Sequence, residues 1–112
     1  MLDSWSISVL LEDFDDSVRL RVNPMKNQTR QPGESLKIVC PVRSRPDIAF
    51  VTWHKNGRLL NIDGDRISLH KHCTNWLYIN NAIPHDSGVY RCTASSGSMA
   101  VPMETTIKVN GM

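Results

Sequence analysis

The sequence predicts an all-β protein built as an antiparallel sandwich or barrel. Short apolar runs alternate with polar residues at period two, which is the pattern of half-buried strands. Turn signals rich in glycine, proline, asparagine and aspartate separate these runs, and no stretch shows a 3.6-residue apolar period. Seven or so strands of this kind in 112 residues, a length that fits one domain, favour a two-layer β-fold.

The N-terminal half contains three predicted strands, each marked by apolar residues that would share one face. Their inward residues are Leu20 and Val22, then Leu36, Ile38 and Cys40, then Val51 and Trp53. The turn signals Asn23-Pro24 and Gln31-Pro-Gly-Glu34 separate the first two strands. Residues 41–47 hold two prolines and two arginines and are predicted to form a loop before the third strand.

Four more strands are predicted in the C-terminal half. Their inward residues are Ile67 and Leu69, then Leu77 and Ile79, then Tyr90, Cys92 and Ala94, then Ile107 and Val109. Asn56-Gly57 predicts a hairpin turn, because both residues tolerate the positive φ of a type I′ turn. Asp63-Gly64 predicts another turn, residues 84–88 a corner, and residues 95–98 a loop.

Charge divides the chain into two parts. Residues 1–17 carry a net charge of −5, whereas the rest carries +7, with seven of its basic residues between positions 19 and 45. We therefore expect an acidic N-terminal extension or linker, residues 1–17, before a basic domain, residues 18–112. A field of positive sign attracts acidic glycans, acidic protein surfaces or nucleic acid.

One constellation of residues resembles the immunoglobulin superfamily. Cys92 follows Cys40 by 52 positions, and Trp53 lies 13 residues after Cys40 on the next predicted strand. The run Asp86-Ser-Gly-Val-Tyr-Arg-Cys92 follows a strand that ends before Pro84. The resemblance covers roughly residues 19–110 and implies a two-sheet antiparallel Greek-key sandwich of the intermediate set. Domains of this set occur in cell-adhesion molecules and in receptor ectodomains, including those of receptor tyrosine kinases and the interleukin-1 receptor group.

The resemblance also implies structural roles for the matching residues. Cys40 and Cys92 would form a disulfide between the two sheets, with Trp53 packed on it. The hydroxyl of Tyr90 would turn the corner by bonding back to the backbone. The other core residues expected from the alternating pattern are Leu36, Ile38, Leu77 and Ile79. The third cysteine, Cys73, remains unpaired and is predicted to lie in a short turn. It would be a partly buried free thiol, a link to another domain or subunit, or a reactive sensor thiol.

Polar residues near the corner are interpreted as structural. Arg66 and Asp86 match an ion pair that the family frequently places across one end of the sandwich. His85, Asp86 and Ser87 are catalytic-triad residue types, but neighbours on a corner cannot point at one another in relay. The sequence has no glycine-rich phosphate loop and no carboxylate pair with a reason for opposed pKa shifts. We expect neither enzymatic activity nor a cofactor.

Two features concern modification and metal binding. Asn27-Gln-Thr29 is the only N-glycosylation sequon, and it lies in a polar stretch expected at the surface. A cysteine bridge would favour glycan attachment there, because both features imply the secretory route. His70 and His72 are predicted to alternate on one strand, but a third ligand is missing, so we expect no metal site.

Candidate binding residues fall into two groups. Trp76 and Tyr78 should point outward, and together with His70, His72 and Val39 they would form an aromatic, slightly basic sheet face of the kind that anchors protein interfaces. A second group consists of arginines that would suit sulfate groups, namely Arg19, Arg21, Arg43 and Arg45. The other sheet would expose a polar face, formed by Thr52, His54, Arg91, Thr93, Thr106 and Lys108.

The sequence thus favours a non-catalytic extracellular recognition module of a larger cell-surface receptor or adhesion protein. Its expected ligand is a protein partner, with heparan sulfate as a second candidate. We expect no nucleic-acid ligand, and contact with a membrane only through the parent protein. Two alternatives remain open: a matrix-protein module that binds sulfated glycan, and an intracellular structural domain of the muscle type.

Overall fold

The computed structural model describes residues 19–45 and 50–111. The predicted acidic extension, residues 1–17, lies outside the described residues. Within them the chain forms strands and one 3₁₀ turn, Pro84–Asp86. The strands are β1 Arg19–Val22, β2 Gln28–Arg30, β3 Leu36–Val39, β4 Val42–Arg45, β5 Phe50–Lys55, β6 Arg58–Leu59, β7 Ile67–His70, β8 Cys73–Ile79, β9 Gly88–Ser96 and β10 Met99–Val109.

The strands are arranged in two layers. One layer is a five-stranded sheet in the order β2-β10-β9-β5-β6, and the other contains a three-stranded sheet in the order β3-β8-β7. A two-stranded ribbon, β1 with β4, extends from β3 through Cys40 and Pro41. Strand β2 pairs in parallel with β10, and the other pairs are antiparallel. The predicted all-β sandwich is therefore confirmed.

The core lies between the layers and follows the period-two pattern. On β3, Leu36 and Ile38 are buried while Lys37 is exposed, and on β8 Leu77 and Ile79 are fully buried. The remaining members of the buried apolar cluster are Leu20, Val22, Cys40, Val51, Trp53, Ile67, Tyr90, Cys92, Ala94 and Ile107. The alternation that was visible in the sequence thus decides which face of each strand is buried.

The hairpin between β5 and β6 has the predicted turn. Asn56 and Gly57 both have positive φ, 51° and 82°, and the flanking residues Lys55 and Arg58 pair across the turn. The backbone N–H of Val89 donates to Asn56 Oδ1 at 2.9 Å, which ties the turn to the neighbouring strand β9.

The predicted loop over residues 41–47 is wrong for residues 42–45, which form β4. The chain bends only locally at Pro41, where the N–H of Val42 donates to the carbonyl of Cys40 at 2.8 Å. Extended structure then resumes, because β1 offers a partner strand, with Val22 opposite Val42 and Arg21 opposite Arg43.

Two other element boundaries differ from the prediction. The loop expected at residues 95–98 shrinks to Gly97 and Ser98, since β9 runs to Ser96 and β10 begins at Met99. The last strand is also much longer than the two inward residues Ile107 and Val109 indicated. It pairs with β9 along the whole stretch from Met99 to Ile107, so it forms the largest strand contact of the five-stranded sheet.

Candidate recognition surface

The centre of the sandwich is fixed by one disulfide and two aromatic side chains. The sulfur atoms of Cys40 and Cys92 are bonded, and both cysteines are fully buried. Trp53 is 2% exposed, and its indole Nε1–H donates to the carbonyl of Thr74 at 2.8 Å. Tyr90 Oη donates to the carbonyl of Asp86 at 2.6 Å. Burial raises the pKa of Tyr90 well above its usual value, so the hydroxyl keeps the proton that it donates.

An ion pair closes one end of the sandwich. Arg66 donates from both terminal nitrogens to the carboxylate of Asp86, at 2.6 and 3.0 Å, and the backbone N–H of Ile83 donates to the same carboxylate at 2.8 Å. Burial alone would raise the pKa of Asp86, but these hydrogen bonds and the positive charges of Arg66 and Lys55 outweigh it and hold the pKa below its usual value. The carboxylate is therefore structural.

The neighbouring hydroxyl of the corner is also engaged in structure. Ser87 Oγ accepts the backbone N–H of Val109 at 2.9 Å and donates to the carbonyl of Val109 at 3.2 Å. This contact ties the corner to the end of β10. Asp86 and Ser87 thus each stabilise a different neighbouring element, and neither faces His85 in a relay.

The outer face of the three-stranded sheet carries a cluster that we call the aromatic platform: Lys37, His70, Trp76 and Tyr78. Since Leu77 and Ile79 point into the core, Trp76 and Tyr78 point outward, where both are half-buried. The His70 ring packs edge-on against the Trp76 ring, with centroids 4.9 Å apart. Lys37 Nζ lies 4.7 Å from the centroid of the same indole, a cation–π contact.

The histidine pair differs from its prediction. Strand β7 ends at His70, and His72 lies in the turn that follows, so the two residues do not alternate on one strand. The backbone N–H of His72 donates to His70 Nδ1 at 3.1 Å, so the contact between the two residues is a hydrogen bond within the turn. No cluster of three potential metal ligands occurs among the described residues.

Cys73 also lies elsewhere than predicted. It is the first residue of β8, paired with His70 of β7, rather than a turn residue. The turn is shorter than expected because Lys71 and His72 alone reverse the chain. The thiol is free and half-buried.

The β1–β4 pair, which we call the arginine ribbon, brings the predicted arginines into register. Arg19 lies opposite Arg45, and Arg21 lies opposite Arg43. Directly opposed residues of an antiparallel pair share one side, as do residues two apart on a strand. Since Leu20 is buried on the inner side of the ribbon, Arg21 and Arg43 are on its outer side, and both are exposed.

The outer face of the five-stranded sheet contains the predicted polar residues and two apolar ones that the prediction missed. Thr52, Thr106 and Lys108 are exposed, whereas His54, Arg91 and Thr93 are half-buried. Phe50 and Leu59 are 75% and 71% exposed, the most exposed large apolar side chains among the described residues. The alternation of Phe50 with the inward Val51 was the signal that could have found the first of them.

Comparison with known proteins settles the family. The model of the immunoglobulin I-set domain matches residues 20–109 of this chain. The chain belongs to that family. The predicted intermediate-set resemblance and its disulfide are therefore confirmed. Among the described residues, no helix is both long enough and apolar enough to cross a membrane.

The similar curated proteins are much longer than this chain. Mouse papilin is 34% identical over 69% of the chain, which corresponds to 6% of papilin. Chicken cell adhesion molecule DSCAM is 27% identical over 94% of the chain and 5% of its own length. Mouse interleukin-1 receptor type 2 is 31% identical over 84% of the chain and 24% of its own length. The I-set domain thus occurs in both adhesion-type and receptor-type relatives.

Solved structures show the same fold at low sequence identity. The tandem immunoglobulin repeats of Dlar match with a TM-score of 0.73 at 19% identity, covering 86% of this chain and 50% of that one. The titin M3 domain matches with a TM-score of 0.71 at 24% identity, covering 83% and 98%. These likenesses concern the fold alone.

Proposed function

We propose that this domain is a non-catalytic recognition module of a larger extracellular protein and that it binds a protein partner through the aromatic platform. The observation that carries the proposal is the outward cluster of Trp76 and Tyr78 with His70 and Lys37. Tryptophan and tyrosine contribute more binding energy at protein interfaces than most residues do. On this sheet they are held half-buried, so little side-chain freedom is left to lose on binding.

The platform favours a partner with an acidic rim. Lys37 is exposed and lies over the indole, and Lys71 and His72 are exposed in the adjoining turn. A partner that covered Trp76 with an apolar group and Lys37 with a carboxylate would satisfy both the ring and the charge. Complementary charges at the rim chiefly accelerate encounter, whereas the buried aromatic ring contributes most to affinity.

The extracellular part of the proposal is supported by the disulfide and the relatives. Disulfides persist in secreted proteins and ectodomains and are rare in the cytosol. The relatives that share the domain include a cell adhesion molecule and a receptor. The intracellular structural alternative is represented by the titin domains, whose likeness concerns the fold alone.

Alanine substitution of the platform tests the protein-binding proposal. The multimerised domain would be screened against cell surfaces and candidate ectodomains, followed by Trp76→Ala. We expect a loss of about 30-fold in affinity, the effect of removing a strong interface residue of about 2 kcal/mol. Phe50→Ala is the matched control, because it removes an exposed aromatic from the opposite sheet. If the control abolishes binding and Trp76→Ala does not, the partner docks on the other face.

Heparan sulfate is a second candidate ligand, favoured by the register of the arginine ribbon. Arg21 and Arg43 lie directly opposite each other and both are exposed, and like charges in this position repel in the isolated domain. An anionic polymer would relieve that repulsion, and guanidinium groups pair well with sulfate oxygens. The same ligand would suit the matrix-module alternative.

Charge reversal separates a ribbon site from a general effect of net charge. Arg21→Glu with Arg43→Glu reverses two charges on the ribbon, and Arg58→Glu with Lys108→Glu reverses two exposed charges on the five-stranded sheet. We expect the ribbon variant to elute from a heparin column at lower salt than the control variant. If both variants eluted at the same salt concentration, affinity for heparin would depend on net charge alone, which would contradict a site on the arginine ribbon.

A further inference from the structure

We propose that Asn27 carries an N-linked glycan and that the folded domain is built to hold it. The sequon Asn27-Gln-Thr29 spans the start of β2, the outermost strand of the five-stranded sheet. Asn27 and Thr29 are exposed, whereas Gln28 between them is half-buried. The two residues that define the sequon thus face solvent, and the residue between them faces the protein.

The hydrogen bonds of Asn27 determine which end of its amide is free. The backbone N–H of Thr106 lies 2.9 Å from the side chain and can only donate, so the atom that it contacts must be Oδ1. The hydroxyl of Thr105 lies 3.4 Å from the same oxygen. The amide nitrogen Nδ2 therefore points away from β10, and among the described residues none accepts a hydrogen bond from it.

This orientation places the glycan on the atom that the fold does not use. In N-glycosylation, Nδ2 attacks the anomeric carbon of an oligosaccharide carried on a lipid diphosphate. The N–C bond forms, the bond from that carbon to the diphosphate oxygen breaks, and Nδ2 loses one proton. The product keeps one N–H and the whole of Oδ1, so the contact with Thr106 survives the modification.

The position of Asn27 suits a glycan in a second respect. Asn27 lines an open groove between β2 and β3, together with Lys26, Arg30 and Lys37. The free side of β2 faces this groove, and an unpaired edge strand invites pairing with other chains. A bulky hydrated glycan at the rim of the groove would block such pairing.

The inference rests on the extracellular part of the proposed function, and glycosylation can be measured without any partner. The chain would be produced behind a secretion leader in glycosylating cells, and its intact mass compared before and after treatment with peptide N-glycosidase. The wild type and Thr29→Ser, which keeps the sequon, should each lose one glycan mass. Thr29→Ala and Asn27→Gln should show no change.

Stability measurements distinguish a tolerated glycan from a disruptive one. Enzymatic release turns the side chain at position 27 into a carboxylate, whose oxygens still accept from Thr106. The glycosylated, released and Thr29→Ala proteins should therefore unfold within a few degrees of one another. A wild-type chain secreted with its disulfide but without a glycan would overturn the inference. A chain that folds only when Asn27 is unmodified would overturn it as well.

The two proposals fail in different ways. A bare Asn27 together with Trp76-dependent binding would remove the glycan and leave the recognition function standing. A glycosylated domain whose binding is unchanged by Trp76→Ala would contradict the recognition function and leave the glycan proposal standing.

Discussion

At the scale of single residues, Asp86 joins three parts of the molecule through its side chain and its backbone. Its carboxylate accepts from Arg66 and from the N–H of Ile83, and its carbonyl accepts from Tyr90. The resemblance to a known family predicted the ion pair with Arg66 and a bond from the Tyr90 hydroxyl to the backbone, but not that the carbonyl of Asp86 accepts it. It did not predict Ile83, because a backbone donor carries no signature in the sequence.

Acid should weaken the fold through Asp86. The pKa of this carboxyl is lowered in the folded state, so its stabilising contribution is fully present above the unfolded pKa of about 3.9. That contribution disappears as the pH falls through the folded pKa. Urea unfolding between pH 7 and pH 3 should therefore show a loss of stability below about pH 4 that Asp86→Asn lacks.

At pH 7, Asp86→Asn should itself cost about 3 kcal/mol, because it leaves Arg66 without its countercharge at a mostly buried site. Asp65→Asn, a change at an exposed aspartate in the turn before Arg66, is the control and should keep the acid dependence. If Asp86→Asn lost stability below about pH 4 as the wild type does, other carboxyl groups would account for the acid dependence.

At the scale of elements, turns were easier to predict than the ends of strands. Asn56-Gly57 was predictable because the two residues satisfy a backbone requirement locally. Strand β4 was not, because its stability comes from pairing with β1, some 20 residues earlier, and not from its own residues. The register of the arginine ribbon could not be predicted from the sequence for the same reason, because it depends on how β1 and β4 pair.

The β5–β6 hairpin provides a test of that local requirement. Gly57 has φ +82°, and a Cβ added there would meet no atom within 4 Å, so Gly57→Ala changes the backbone energy alone. We expect a loss of about 1–2 kcal/mol in the free energy of unfolding, the cost of left-handed backbone for an L-residue. Gly111→Ala, also in open space and without a positive φ, should have almost no effect. A comparable loss in both variants would argue against the turn as the cause.

At the scale of the whole molecule, the two layers present three chemically different surfaces. The aromatic platform lies on one layer, the arginine ribbon extends that layer, and the other layer exposes Phe50 and Leu59. The alternating pattern could assign residues to an inner or an outer face, because that depends on the strand alone. It could not decide which outward residues of different strands meet, because neighbours across a sheet depend on strand order and register.

The covalent link between the layers should contribute a large share of total stability. Cys40 and Cys92 are 52 positions apart, and closing a loop of that length corresponds to about 4 kcal/mol in the chain-entropy account. A domain of this size is typically stable by about 5–15 kcal/mol, so the double variant Cys40→Ala with Cys92→Ala should be marginal or unfolded at 37 °C. Cys73→Ala removes a half-buried free thiol and is the control, expected to change stability far less. Urea unfolding of the three proteins measures the difference.

A double variant within about 1 kcal/mol of the wild type would mean that packing around Trp53 holds the layers together without the bond. In that case the sandwich would fold equally well in a reducing compartment, and the extracellular part of the proposal would lose its structural support.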